Sequence, residues 1–276
     1  INLYKIFYET LKEMNKLEFN GDTSIGELYN LILCLNTITK DLIIDDIIVE
    51  KLANSMKVDF EFKRRENNSY CNVKMQLNEH EFSYEEILNS SNSTIKKSKK
   101  MRIIESELNK NRFFYKDGIF IFYGNDEDYY LFLKEKINDL KKLGEIKFLP
   151  DSEKYFKLYR GNISDLKLKE DGEKYFKFSF NLEGINNNDL QAILNGYNIK
   201  LRYIKIEDNV YVDLESEELI EFLRLIQALN INVNEGRDEY KLELNKLYYL
   251  NNKLNNEQMN LLQGRENLNK ALKKMD

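Results

Sequence analysis

Residues 174–180 read Lys-Tyr-Phe-Lys-Phe-Ser-Phe, which sets Phe176, Phe178 and Phe180 against Lys177 and Ser179. Successive side chains of a strand point to opposite faces, so this alternation calls for a sheet with one buried face. Val58, Phe60 and Phe62 repeat the pattern, and after the polar turn 66–69 residues 70–77 supply a partner, which predicts a hairpin. Further strand-like runs lie at 118–123, 145–149, 155–158 and 163–168, and a second hairpin joins 200–206 to 210–214.

Helical spacing fills much of the remainder. Leu3, Ile6, Phe7 and Leu11 form one stripe, and Ile25, Leu28, Tyr29, Ile32 and Leu33 another, with Thr23 or Ser24 as its cap. Residues 101–108 follow, then 126–143 with Tyr130, Phe132, Leu133, Ile137 and Leu140 in step and Gly144 at the stop. Helices are also predicted at 188–197, at 216–229 and beyond residue 239. Runs of strands with helices beside them define an α+β class rather than a doubly wound sheet. The expected order is a helical N-terminal part with a hairpin, then a mixed, mainly antiparallel sheet with flanking helices, then a helical C-terminal tail. Residues 89–100 are Ser, Asn and Lys with one apolar residue, too little to offset their ordering entropy, and read as a linker or exposed loop. The expected parts are therefore 1–90, a linker at 91–100, a core at 101–235 and a tail at 236–276.

Composition narrows the function classes. With 18 Tyr and 16 Phe the chain has the aromatic content of a packed protein, not of a disordered one. A formal charge of −5, from 42 basic against 47 acidic residues, gives no global drive toward nucleic acid, so any such contact has to be local. Cys34 and Cys71 alone cannot build a disulfide framework or a four-cysteine zinc site, and a reducing cytoplasm is the simplest setting. The most apolar runs are broken by Asn36 or by Asp45 and Asp46, well short of the roughly 20 residues that span a bilayer. The first residue is Ile, and the opening lacks a signal peptide's three-part layout, so the chain reads as a piece of something longer.

The residues that could carry chemistry are few. Scattered glycines form no phosphate-cradling loop. His80, the single histidine, sits between Glu79 and Glu81 in a polar turn, where an exposed role outweighs a triad. Asp45 with Asp46, and Asp126 with Glu127 and Asp128, are acidic enough to hold Mg²⁺, but helix capping and solvation account for them better. No catalytic, cofactor-binding or metal-binding residue is assigned. The densest basic group is Lys96, Lys97, Lys99, Lys100 and Arg102, which are the candidate contacts to DNA phosphates, with a smaller group at Lys63, Arg64 and Arg65. Phe113, Phe114, Tyr129 and Tyr130 read as core rather than as a base-stacking platform, because they lie within apolar periodic segments.

The order of these segments resembles the bacterial Swi/Snf helicase-associated domain. The resemblance rests on Phe176, Phe178 and Phe180, then Asp189, Leu190, Ile193, Leu194 and Tyr197, then Lys200, Tyr203, Ile206, Tyr211, Val212, Asp213 and Leu214. Upstream it takes in Arg102, Glu105, Phe113, Tyr130, Phe132, Leu133, Leu140, Gly144, Glu145, Ile146 and Phe156, and downstream the leucine-rich stretch 242–272. It covers residues 1–90 poorly. Lys205 stands where the family tends to have Arg, and Asn209 where it tends to have the turn Gly, although Asn tolerates a left-handed turn.

The resemblance implies a non-catalytic accessory region of a cytoplasmic ATP-dependent DNA translocase, lying between an upstream zinc-binding module and a downstream two-lobed motor. ATP and Mg would belong to that motor. The implied partners are the ATPase core of the same polypeptide, double-stranded DNA and a protein of the transcription or repair machinery, with no membrane. Two other readings are a direct DNA-binding module using residues 96–102 and a stand-alone enzyme with a carboxylate site.

Overall fold

The structure is a computed structural model, and it describes residues 28–32, 44–77, 80–89, 94–172, 174–206, 209–233, 238–254 and 256–273. The chain divides into two compact units. The first runs to Tyr123 and takes back Asn138–Lys147; the second holds Gly124–Ile137 and Phe148–Asp276.

In the first unit, Leu28, Tyr29 and Ile32 are buried in a helical segment, on the stripe read from the sequence. The stripe at residues 3–11 and the caps Thr23 and Ser24 lie outside the described residues. Helix α1 (Asp46–Ser55) begins where Asp45 accepts the Ile47 N–H at 2.8 Å and ends in the extended Met56. The Asp45–Asp46 pair thus starts a helix, as its place between two apolar runs suggests.

Strands β1 (Lys57–Arg65) and β2 (Asn68–Leu77) form the predicted hairpin, with Phe60 opposite Val73, Phe62 opposite Cys71, and Glu66 in the left-handed region at the turn. The hairpin is the middle of a larger sheet. With β3 (His80–Ser83), β4 (Phe113–Lys116), β5 (Ile119–Phe122) and β6 (Glu145–Phe148), the order is β4-β5-β2-β1-β6, and β3 also pairs with β2. Val58, Phe60, Phe62, Cys71, Val73 and Met75 are buried on one face, where alternation put them.

The 91–100 stretch is no linker where it is described. A 3-10 turn (Thr94–Lys97) follows the short helix α2 (Tyr84–Asn89) and leads through a buried Ser98 into helix α3 (Lys99–Lys110). Ser98 Oγ accepts the Met101 N–H, and Glu50 of α1 accepts the Lys99 N–H at 2.8 Å. These two acceptors satisfy donors that every helix start leaves open, which is how so polar a stretch gains order. Met101, Ile104 and Leu108 of α3 are buried.

The predicted helix 126–143 is present as α4 (Asp126–Leu131) and α5 (Ile137–Lys141), joined by a π-helical turn (Phe132–Lys136) in which the Ile137 N–H reaches the Phe132 carbonyl. Its start is a capping box: Asn125 accepts the Asp128 N–H at 2.8 Å and Asp128 accepts the Asn125 N–H at 3.2 Å. The acidic triplet at 126–128 therefore sits where the helix dipole favours it.

The second unit contains two sheets. Strands β10 (Tyr203–Ile206), β11 (Val210–Asp213) and β7 (Leu158–Tyr159) lie in the order β10-β11-β7, the last pair parallel. Asn209 is left-handed (φ 60°), so Asn does take the turn conformation expected of it. Strands β12 (Tyr240–Glu243), β9 (Tyr175–Leu182), β8 (Ile163–Glu170) and β13 (Leu262–Gln263) form the other sheet in that order. Phe176, Phe178 and Phe180 are buried against helices α6 (Leu190–Asn198) and α7 (Glu217–Ala228), which contribute Ile193, Phe222 and Ile226.

Two expectations are corrected in this unit. Residues 155–158, read as a strand, begin instead in a 3-10 turn (Glu153–Phe156), in which Phe156 stacks on Phe148 at 5.7 Å between ring centroids, and only Leu158 belongs to a strand, β7. The region from residue 236, read as a helical tail, starts with a strand paired to β9. Its helices α8 (Leu244–Lys253), α9 (Asn256–Leu261) and α10 (Arg265–Lys273) belong to the same core, because Leu247, Leu250, Leu268 and Ala271 are buried with the β9 phenylalanines. The class is α+β, as read.

Candidate functional site

The basic residues proposed from the sequence lie in the first unit and do not act alike. Lys96, Lys97 and Lys99 are exposed. Lys100 turns inward, where its ammonium group donates to the Met56 and Asn54 carbonyls at the end of α1, and burial holds its pKa below the ordinary lysine value. Arg102 folds back on the Lys97 carbonyl at 2.7 Å. An open groove of about 650 Å³ runs beside them, lined by Asp46, Glu50 and Lys51 as well as Lys97, Lys99 and Arg102. Carboxylates therefore alternate with the cations, and Glu50 occupies the first N–H of α3. A phosphate would meet exposed lysines interspersed with carboxylates there rather than a prepared cradle.

The remaining candidates separate in the same way. His80 is exposed at the start of β3, with its ring 5.7 Å from that of Tyr29. Phe113, Tyr129 and Tyr130 are buried as expected of core residues, but Phe114 is 39% exposed, so that one reading is wrong; it is on the outward side of an edge strand. Cys71 is buried in β2 and burial pushes its thiol pKa up, while Cys34 lies outside the described residues. Among the described residues no group of three or more His, Cys, Asp or Glu side chains is placed to hold a metal, and no helix is long and apolar enough to cross a membrane.

The most developed polar cluster is in the second unit and was not singled out from the sequence. The Tyr130 hydroxyl of α4, with one proton to give, lies 2.9 Å from Asp213 Oδ1 and 3.1 Å from Glu215 Oε2, so the two carboxylates share its donation. Lys134, one turn on, donates to the Tyr130 oxygen at 2.8 Å, to Glu215 at 2.8 Å and to Asp213 at 3.2 Å. Asp213 also accepts the Glu215 N–H at 3.1 Å. Around this centre Arg202 bonds Glu215 at 3.2 Å and Glu127 at 2.6 Å, Lys205 bonds Asp126 at 3.0 Å, and Tyr211 donates its hydroxyl to Asp126. The Tyr203 ring stacks on Tyr130 with centroids 4.6 Å apart. Asp126 and Glu127 of the acidic helix start are thus matched to Lys205 of β10 and to Arg202 just before it.

The electrostatics favour a clamp over a reactive group. Burial pushes the Tyr130 hydroxyl well above the usual tyrosine range, and the bond to Asp213 adds to it against the opposing pull of Lys134. A tyrosine acting as an acid needs its pKa brought toward neutrality, the opposite direction. Burial works against the Lys134 charge, yet its bonds to Glu215, Tyr130 and Asp213 outweigh that and hold it above its ordinary value. The Lys134 bond holds the Glu215 carboxyl down to about 2, with Arg202 helping.

That depressed value fixes a pH response. Because Glu215 titrates near 4.5 when unpaired and about 2 when folded, its contribution to stability is full above pH 4.5 and is lost as pH falls through 2. We expect Glu215→Gln to have a flatter dependence of urea midpoint on pH across that window than the unaltered chain. Parallel curves for the two proteins would contradict the assignment.

Tyr130 and Asp213 are among the residues that carry the family resemblance, and Asp126 and Glu127 stand out as an acidic helix start, but neither signal joins them into one cluster. Lys134, Glu215 and Arg202 gave none, since their partners are far along the chain.

The fold defines an α+β module, and the charged side chains of this cluster are tied into internal pairs. The model of the family "Bacterial SNF2 helicase associated" matches residues 1–276, and the chain belongs to that family. The match includes residues 1–90, where the resemblance read from the sequence was poor. No curated protein and no solved structure matches the chain.

Proposed function

We propose that the chain is a non-catalytic accessory region of a bacterial Swi/Snf-type ATP-driven DNA translocase, and that it docks the motor on DNA or on a partner protein and thereby regulates it. ATP and Mg act in the motor, outside this chain, and the whole works in the cytoplasm. The observation that carries the reading is the membership of the full chain in a helicase-associated family. Its best-formed polar cluster supports it further, because that cluster holds its tyrosine protonated and its charges paired.

A direct DNA-binding module is the second reading, favoured by the exposure of Lys96, Lys97 and Lys99. Calorimetry separates the two. The purified chain, titrated into a parent protein lacking residues 1–276, is expected to bind saturably with little dependence on salt. Absence of that binding, together with duplex affinity that falls steeply as salt rises, would overturn docking in favour of the basic turn.

A further inference from the structure

The first unit's sheet has one face turned away from its core, and the strand registers place a row of residues across it. Phe114 of β4 faces Ile121 of β5, Ile121 faces Tyr70 of β2, and Tyr70 faces Lys63 of β1. Residues opposed in register share a face at about 5 Å. Their strand neighbours Phe113, Phe120, Cys71 and Phe62 are buried, so the row belongs to the outward side.

At one end of the row are two open rings. Phe114 is 39% exposed and Tyr123 is 53% exposed, and their centroids are 6.3 Å apart. At the other end is positive charge. The Lys63 ammonium lies 5.8 Å from the centre of the Tyr70 ring, and Arg65 follows two residues on, on the same face. Among the described residues neither cation has an ion-pair partner, and the nearby Glu61 is engaged by Lys74 at 3.1 Å. Burial chiefly, and the adjacent Arg65, lower the Lys63 pKa against the opposing pull of Glu61.

We propose that this face is a stacking platform for single-stranded nucleic acid, with bases on Phe114 and Tyr123 and phosphates at Lys63 and Arg65. Open aromatic rings on a sheet, flanked by unpaired cations, match the alternation of flat bases and anionic phosphates in an unpaired strand. A duplex keeps its bases stacked inside and cannot use the rings. An extended peptide has its natural seat along a sheet edge rather than across a face, and it does not call for unpaired cations. The surface is separate from residues 96–102, and the docking reading rests on family membership, so failure of the platform would leave that reading standing.

The test is fluorescence anisotropy of the full 276-residue chain with a labelled oligothymidylate and a duplex of equal length at several salt concentrations. We expect the single strand to bind more tightly than the duplex. Phe114→Ala and Tyr123→Ala should each weaken it by at least about fivefold, the lower end for one lost base stack. Lys63→Gln combined with Arg65→Gln should flatten the dependence of log affinity on log salt by about 1.4. Thermal melts followed by circular dichroism check that each variant is folded; Tyr123→Leu serves if Tyr123→Ala is not. No single-strand binding at low salt, equal affinity for strand and duplex, or unchanged affinity in folded aromatic variants would each overturn the proposal. Loss of motor binding in Phe114→Ala without any oligonucleotide affinity would make the face a protein surface instead.

Discussion

Asp213→Ala is expected to destabilise the second unit by about 3 kcal/mol, the low end for breaking a buried ion pair. The Asp213 side chain is 4% exposed and accepts from Tyr130, Lys134 and the Glu215 backbone. Removing it takes the buried acceptor from a hydroxyl and an ammonium group at once and leaves Glu215 alone to serve both, so the loss exceeds the net value of one bond. Two features keep the effect at the low end: Glu215 still accepts from Lys134, and the Lys134 side chain is 22% exposed. Asp213→Asn keeps an acceptor in place and should lose less, about 1 kcal/mol. Urea midpoints check both, and a cycle with Tyr130→Phe should be non-additive, because the two residues share one network. A loss under about 1 kcal/mol for Asp213→Ala would mean that the cluster does not hold the unit together.

Gly264→Ala is the other large expected effect, about 3 kcal/mol from two sources. Gly264 sits at φ +87°, and a methyl group there would stand 2.0 Å from the Leu168 carbonyl oxygen, so backbone has to move. That shift pulls β13 from β8, where Leu262 faces Leu166, and disturbs the buried Leu268. Gly172 supplies the control, since it has the same φ of +87° with nothing within 4 Å of the added carbon. Gly172→Ala should therefore lose only the strain of the backbone, about 1 kcal/mol. Equal midpoints for the two variants would show that residues 256–273 are not docked on β8 as described.

What could be read in advance follows from how local each signal is. Phe176, Phe178 and Phe180 announce β9, and the Val58 to Leu77 alternation announces a hairpin, because a period of two is visible within a few residues. Asn209 could be placed in its turn by its own chemistry. Strand β12 was hidden because its four residues precede a helical pattern and gain their order from β9, about 60 residues away. The start of α3 was hidden for a related reason, since Glu50 of α1 supplies its cap from outside the segment. The π-helical turn at Phe132–Lys136 leaves no pattern that single-sequence periodicity detects. The Tyr130 cluster joins residues 79 to 85 positions apart, so Tyr130 could be read as core and Asp126 and Glu127 as a helix start, but not their pairing with residues of the 202–215 region. Of the basic stretch the exposure of three lysines agrees with a solvated turn, while the inward Lys100 depends on the end of α1.

The most direct measurement is the DNA-stimulated ATPase rate of the proposed motor protein with and without residues 1–276, made alongside its affinity for duplex DNA. An accessory region that docks and regulates the motor predicts a changed rate or a changed affinity on deletion, and restoration when the folded chain is added back. Unchanged rate and unchanged affinity would contradict it.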